Sequence, residues 1–185
     1  DFELKKLLIT ILVILSKDTS VIPILCEGKL LLALFSYVKA NDKTPAREDV
    51  WTMAQMEELQ LHAMSALSTL APAMLDDYMI CQGNTRLLLL LEWCVGPDDF
   101  GGTGNSFHGA GGRNNKKAQM RMCLRLMRSM VSTGQEALLQ DMTDQGAISQ
   151  IITILQNILR RRKKEEHAVD VEMQCDMLFI LSALC

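Results

Sequence analysis

An all-α array of stacked helical repeats is the fold class this sequence predicts, and three observations carry it. The 185 residues are 49% apolar but only 5% aromatic, and β-branched runs are scarce. Leu, Met and Ala lose little rotamer freedom in a helix, so the composition favours helices. Apolar residues recur at steps of three and four, the spacing of one helix face. One layout occurs three times, and a fixed layout repeated along a chain is the signature of a solenoid.

The three segments are LLITILVILSKDTSVIPILCEGKLLLALFSYV, HAMSALSTLAPAMLDDYMICQGNTRLLLLLEWC and CLRLMRSMVSTGQEALLQDMTDQGAISQIITILQNIL. Each is a helical pattern, a short turn, a few apolar residues, a glycine (Gly28, Gly83, Gly146) and a second, more apolar helix. Counting back from the first two glycines by equal steps pairs Leu8, Leu12 and Leu15 with Ala63, Leu67 and Leu70. With three further residues in its turn, the third segment gives Cys123, Met127 and Met130. Each trio is expected on a core face. Cys26 and Cys81 both stand two residues before a glycine, which favours packing over redox or metal chemistry for them.

The second helix of each unit, as in TRLLLLLEWC, is apolar nearly all round. A helix of that kind is buried on both sides, so it is expected as the inner helix of the superhelix. The glycine before it suits a sharp, left-handed turn. In NDKTPAREDVW, Thr44 is a cap, Pro45 suits the first helical position, and Glu48 and Asp49 favour the positive end. A short helix at about 45–54 should therefore precede a long one at about 57–71. Three helices per unit, one short, is the armadillo layout, with two-helix HEAT packing its nearest rival. The prediction is an armadillo-like α-solenoid, a right-handed superhelix. Its units are 1–44, 45–97, 118–166 and 167–185, with a glycine-rich inserted loop at 98–117. Met173, Met177, Ile180 and Leu184 give the last unit its apolar face. Both ends lie inside apolar periodic helices without polar caps, so a fragment of a longer array is expected.

The net charge of −3 offers no global field for nucleic acid or an anionic membrane. The longest apolar stretch, about Leu7 to Leu15, is short of the ~20 residues that cross a bilayer. The six cysteines form no Cys-x-x-Cys pair, so free thiols in a reducing compartment are expected. The histidines at 62, 108 and 167 lie in three different units and show no ligand spacing. Asp76-Asp77 and Asp98-Asp99 stand at helix ends or in loops. The run RRRKK at 160–164 is met at once by Glu165 and Glu166 and reads as a solvated helix end; the other readings are a nuclear import signal and a phosphate-binding patch. No cofactor, metal, small-molecule substrate, nucleic-acid or membrane partner is expected, and no catalytic residue.

FGGTGNSFHGAGGRNNKK, from Phe100 to Lys117, holds six of the eleven glycines. It is not a P-loop: Gly104 and Gly109 have the spacing, but Ala110 stands where Lys is required. The dinucleotide pattern fails at Asn114 and at Phe107, and a Leu-rich helix precedes the loop where a strand would be needed. A connection this long is functional or solvated. Phe107 and His108 at its centre make it a candidate partner-contacting element, with Asn105, Ser106 and Arg113 beside them. Trp93 has no Asn following at the spacing of cargo-carrying armadillo grooves, which disfavours an import receptor.

GNSFHGAGGRNNKKAQMRMCLRLMRSM, with LLLLLEWC before it, resembles the cilia- and flagella-associated protein 69 family, armadillo-type proteins of motile axonemes. The resemblance covers about Leu87 to Met130. It implies a non-enzymatic scaffold in the cytoskeleton of cilia and sperm tails. The implied partners are other axonemal central-apparatus proteins and, directly or through them, a central-pair microtubule. The alternative is a soluble armadillo or HEAT-type adaptor in cytoplasm or nucleus.

Overall fold

The computed structural model describes residues 2–38, 53–96, 113–161 and 168–185. Ten α-helices and no strand occur among them. They are α1 (Phe2–Leu15), α2 (Ile22–Glu27), α3 (Leu30–Phe35), α4 (Met53–Leu70), α5 (Leu75–Ile80), α6 (Gly83–Val95), α7 (Arg113–Val131), α8 (Glu136–Asp144), α9 (Ala147–Arg161) and α10 (Ala168–Leu184). The long helices α1, α4, α7 and α10 stack side by side in chain order. Helices α3, α6 and α9 form a second layer against α4, α7 and α10. The short α2, α5 and α8 come just before that second layer. A short helix, a second-layer helix and a long helix therefore recur in that order three times, the armadillo arrangement, although α2 and α3 have six residues each.

The expected faces on the second and third long helices are buried. Ala63, Leu67, Leu70, Cys123, Met127 and Met130 are all enclosed, and so are Met173, Met177 and Ile180. The first face is so only in part: Leu12 is half-buried against the core, Leu8 and Leu15 are each 47% exposed, and Phe2 and Ile9 are buried. Lys6 Nζ meets Glu58 Oε1 of α4 at 2.6 Å, and Lys5 Nζ donates to the Tyr37 hydroxyl at 3.2 Å. Both lysines thus mark the side of α1 turned toward the array. Leu15 and Leu70 end their helices at the same count before Gly28 and Gly83, and a 3-10 turn follows each helix, so the difference is one of covering: α4 lies between α1 and α7, whereas α1 joins the described stack through α4.

The glycines are not equivalent either. Gly28, Cys81 and Gln145 close the short helices with φ of −72°, −74° and −80°. Lys29, Gln82 and Gly146 follow in the left-handed region at φ 52°, 54° and 82°. Cys81 therefore corresponds to Gly28, and Cys26 lies two residues earlier in the motif. Gly83 is already helical. It is glycine because a Cβ there would lie 2.3 Å from Cε2 of the fully buried Tyr78.

The most enclosed helices are α4 and α7, not the ones after the turns. Among described side chains, α4 exposes only Ser65 and Thr69, and α7 only Arg125 and Arg128. The second layer exposes Leu32, Leu89 and Ile152. Hydropathy misjudged this because Gln60, Lys116 and Gln119 are buried in α4 and α7. Residues 45–52 of the expected short helix lie outside the described set, and 53–54 open α4.

Candidate functional site

Asn105, Ser106, Phe107 and His108 lie outside the described residues. Arg113 is the first residue of α7. Residues 113–117, expected in the inserted loop, are helical instead, because the stretch RNNKK holds no glycine and Lys116 has a fixed place. Its Nζ donates to the Gly96 carbonyl at 3.3 Å and lies 4.7 Å from the Trp93 ring centroid. Gly96 closes α6, so a cation meets the helix end where the dipole is negative. This bond fastens together the two described ends that flank residues 97–112.

A second feature is a groove of about 540 Å³ across α4, α7 and α10. Ser65, Thr69, Arg125 and Ser132 line it, with Glu172 and Asp176 opposite. Its frame is bonded from helix to helix. Ser129 Oγ donates to the Ser68 carbonyl at 2.6 Å, and Arg128 donates to Asp176 at 2.6 Å while lying 4.8 Å from the Phe179 ring. Arg121 meets Glu172 at 2.7 Å. Sequence reading missed this groove, although Arg121, Arg125, Arg128 and Ser132 keep the steps of a helix face. A hydrophobic search passes over such a stripe.

Many polar groups of the groove are committed to partners within the protein. Its two acids are paired with arginines, and the hydroxyls of Ser68 and Ser132 are committed to carbonyls one turn back. The buried thiols are poor nucleophiles. Burial pushes Cys94 up to about 12, with Lys116 acting weakly against it. Burial also raises Cys123 well above the usual range, and its Sγ donates to the Leu87 carbonyl at 3.3 Å. Cys26 and Cys81 are raised by burial as well. All six cysteines are free thiols. His62 Nδ1 lies 3.0 Å from the Glu58 carbonyl, an ordinary helix contact. Asp76 and Asp77 sit in the first turn of α5, where the dipole favours them. Arg160 and Arg161 end α9; residues 162–164 of the basic run lie outside the described set. No group of three metal-ligating side chains occurs among the described residues.

No solved structure matches the chain. A family model described as "Cilia- and flagella-associated protein 69, ARM repeat" matches residues 1–185. The chain is similar to proteins named cilia- and flagella-associated protein 69 from Homo sapiens (50% identical), Callithrix jacchus (51%) and Mus musculus (49%). Each match covers all 185 residues of this chain and 19% of the relative. The expected resemblance, drawn on residues 87–130, thus extends from end to end, and the chain belongs to the cilia- and flagella-associated protein 69 family, as an armadillo-repeat segment.

Proposed function

We propose that this segment is a non-enzymatic scaffold of the motile-cilium and flagellum axoneme. In this reading it holds neighbouring proteins in a central-apparatus projection on a central-pair microtubule. The observation that carries it is membership, along the whole chain, in a family named for cilia and flagella. The chemistry of the described residues agrees with it. Burial favours the protonated form of Cys26, Cys81, Cys94 and Cys123, the groove acids are paired, and the layers are cross-bonded by side chains that hold shape. The proposed contact element is the connection after α6, with Asn105, Ser106, Phe107 and His108 and, at its end, Arg113. The Lys116 bond supports this by giving that connection a fixed base.

The test uses the tagged full-length protein recovered from axoneme extract in two forms. One is intact; the other has residues 98–112 replaced by a short Gly-Ser link. Keeping 113–117 preserves α7 and the Lys116 bond. Central-apparatus proteins should accompany the intact form, and at least one should be lost with the replacement. If every partner stays, the connection is not the docking element. If only soluble or nuclear proteins come down with both forms, the axonemal scaffold reading fails and the adaptor takes its place.

A further inference from the structure

Three cations of α7 face two anions of α10 at the polar groove. Arg121, Arg125 and Arg128 follow one another on α7 at steps of four and three, and Glu172 and Asp176 stand about one turn apart on α10. The two outer arginines take the two acids: Arg121 meets Glu172 and Arg128 meets Asp176. Arg125, between them, is left over. Its guanidinium has no hydrogen bond or ion pair with any described residue, and it is exposed at the groove. A solvated arginine is ordinary on an open surface. This one lies in a groove with like charges three and four residues away, a placement that is unfavourable by itself. The α4 wall supplies no charge. It supplies Ser65 and Thr69, both exposed, whose hydroxyls also lack a bond among the described residues, unlike those of Ser68 and Ser129. One guanidinium and two hydroxyls are thus uncommitted donors on the walls of one groove.

We infer that this groove docks an extended acidic segment of a partner protein, with one Asp or Glu carboxylate of that segment seated on Arg125 and the Ser65 and Thr69 hydroxyls beside it. The charge balance selects the acid. One carboxylate gives the third arginine its anion and completes the row of pairs, and a guanidinium takes a carboxylate by parallel bonds. The same balance selects against a phosphate group. Such a group carries close to two charges and is best met by several cations, whereas Arg125 alone is unengaged here and Glu172 and Asp176 stand opposite. Size selects a segment over a lone ion: the groove holds about 540 Å³ and crosses α4, α7 and α10. Its walls are polar, whereas sites for small molecules are mostly apolar. Spacing selects the extended form. Ser65 and Thr69 stand about 6 Å apart along α4, close to the ~6.6 Å between alternate residues of an extended chain. The bonds from Ser129 to Ser68 and from Arg128 to Asp176 hold the walls at a fixed separation, so little ordering is needed on binding.

Selection of a displayed library of short random peptides on the purified full-length protein tests this. Arg125→Gln is the diagnostic variant, because the Arg125 side chain bonds to no described residue and its loss leaves the frame of the groove intact. A set of the recovered peptides should weaken by about tenfold or more on Arg125→Gln, the weight of a bond to a charged group. Each member of that set should carry an Asp or Glu. Changing that acid to Asn or Gln should weaken binding to the unaltered protein by the same factor and have no further effect on the variant. Ser65→Ala together with Thr69→Ala should weaken the same set by a smaller factor, and an unchanged affinity overturns their part in the site. If no recovered peptide depends on Arg125, or if those that do carry no acid, the inference fails. If phosphoserine in place of the acid tightens binding, a phosphorylated segment is the occupant and the carboxylate assignment is overturned. None of these outcomes bears on the axonemal role or on the connection after α6, which the recovery experiment tests separately.

Discussion

Gly83 and Tyr78 show how one atom decides a residue. The ring of Tyr78 is fully buried, lies 5.9 Å from that of Phe35, and its hydroxyl donates to Asn84 Oδ1 at 2.8 Å. It has no room to retreat from a new methyl. Gly83→Ala should therefore destabilise by roughly 1–3 kcal/mol through overpacking, read as a lower urea midpoint at unchanged slope. Cys94 gives a pH dependence of definite sign. Its thiol titrates from the usual 9.0 up to about 12 in the folded chain. Below pH 9 both states are protonated and the preference for the folded state is complete. Between pH 9 and about 12 the unfolded thiol ionises while the folded one does not, so stability falls as pH rises, by about 1.4 kcal/mol per unit. Cys94→Ala should lose that part of the slope. Equal slopes in both proteins would mean that the thiol is not held neutral. From sequence Cys94 was legible only as a small apolar residue. The contact at Gly83 was not legible, because a glycine reads as a free turn until its neighbour is known.

At the scale of the element, the long helices were the most legible part. Leu67 and its companions on α4 keep the four–three step, and the burial follows it. Leu67→Ala should cost roughly 2–5 kcal/mol by removing buried methyl groups and leaving a cavity. A loss under half a kcal/mol would mean that α4 turns another face to the core. The first helix departs from the pattern because α4 covers it on one side, while α4 itself is covered by α1 and α7. The left-handed residue was misplaced for a related reason. Glycine is the cheapest residue at positive φ, yet Lys29 and Gln82 take that place in two of three turns, each against about 1–2 kcal/mol of steric cost. Packing of the flanking helices fixes the turn, and the residue there complies.

At the scale of the whole molecule, the units are joined by side chains far apart in sequence. Asn84 of α6 donates to Asp141 Oδ2 at 2.7 Å and to the Leu138 carbonyl at 3.2 Å, both in α8. It also accepts from Tyr78, so one buried amide ties the second short helix to the third. In an array whose units touch only their neighbours, such ties make the units unfold together. A double-mutant cycle on Asn84→Ala and Asp141→Ala should give a coupling of about 0.5–3 kcal/mol. Additivity within error would show that the bond does not join the units energetically.

By itself the sequence determined the helices, their threefold recurrence and the buried faces of α4, α7 and α10, because periodic burial leaves a periodic pattern of side chains. The glycine-rich stretch was legible as the odd feature, and its resemblance pointed to the family. Tertiary structure alone decided which layer is most enclosed, where the short helices stand, how the polar groove is framed, and that Lys116 fastens the ends flanking residues 97–112. Those features depend on pairs such as Ser68 with Ser129, Arg128 with Asp176 and Trp93 with Lys116. Members of each pair are polar or solitary in the chain, and only the packing of one helix on the next brings them within bonding distance.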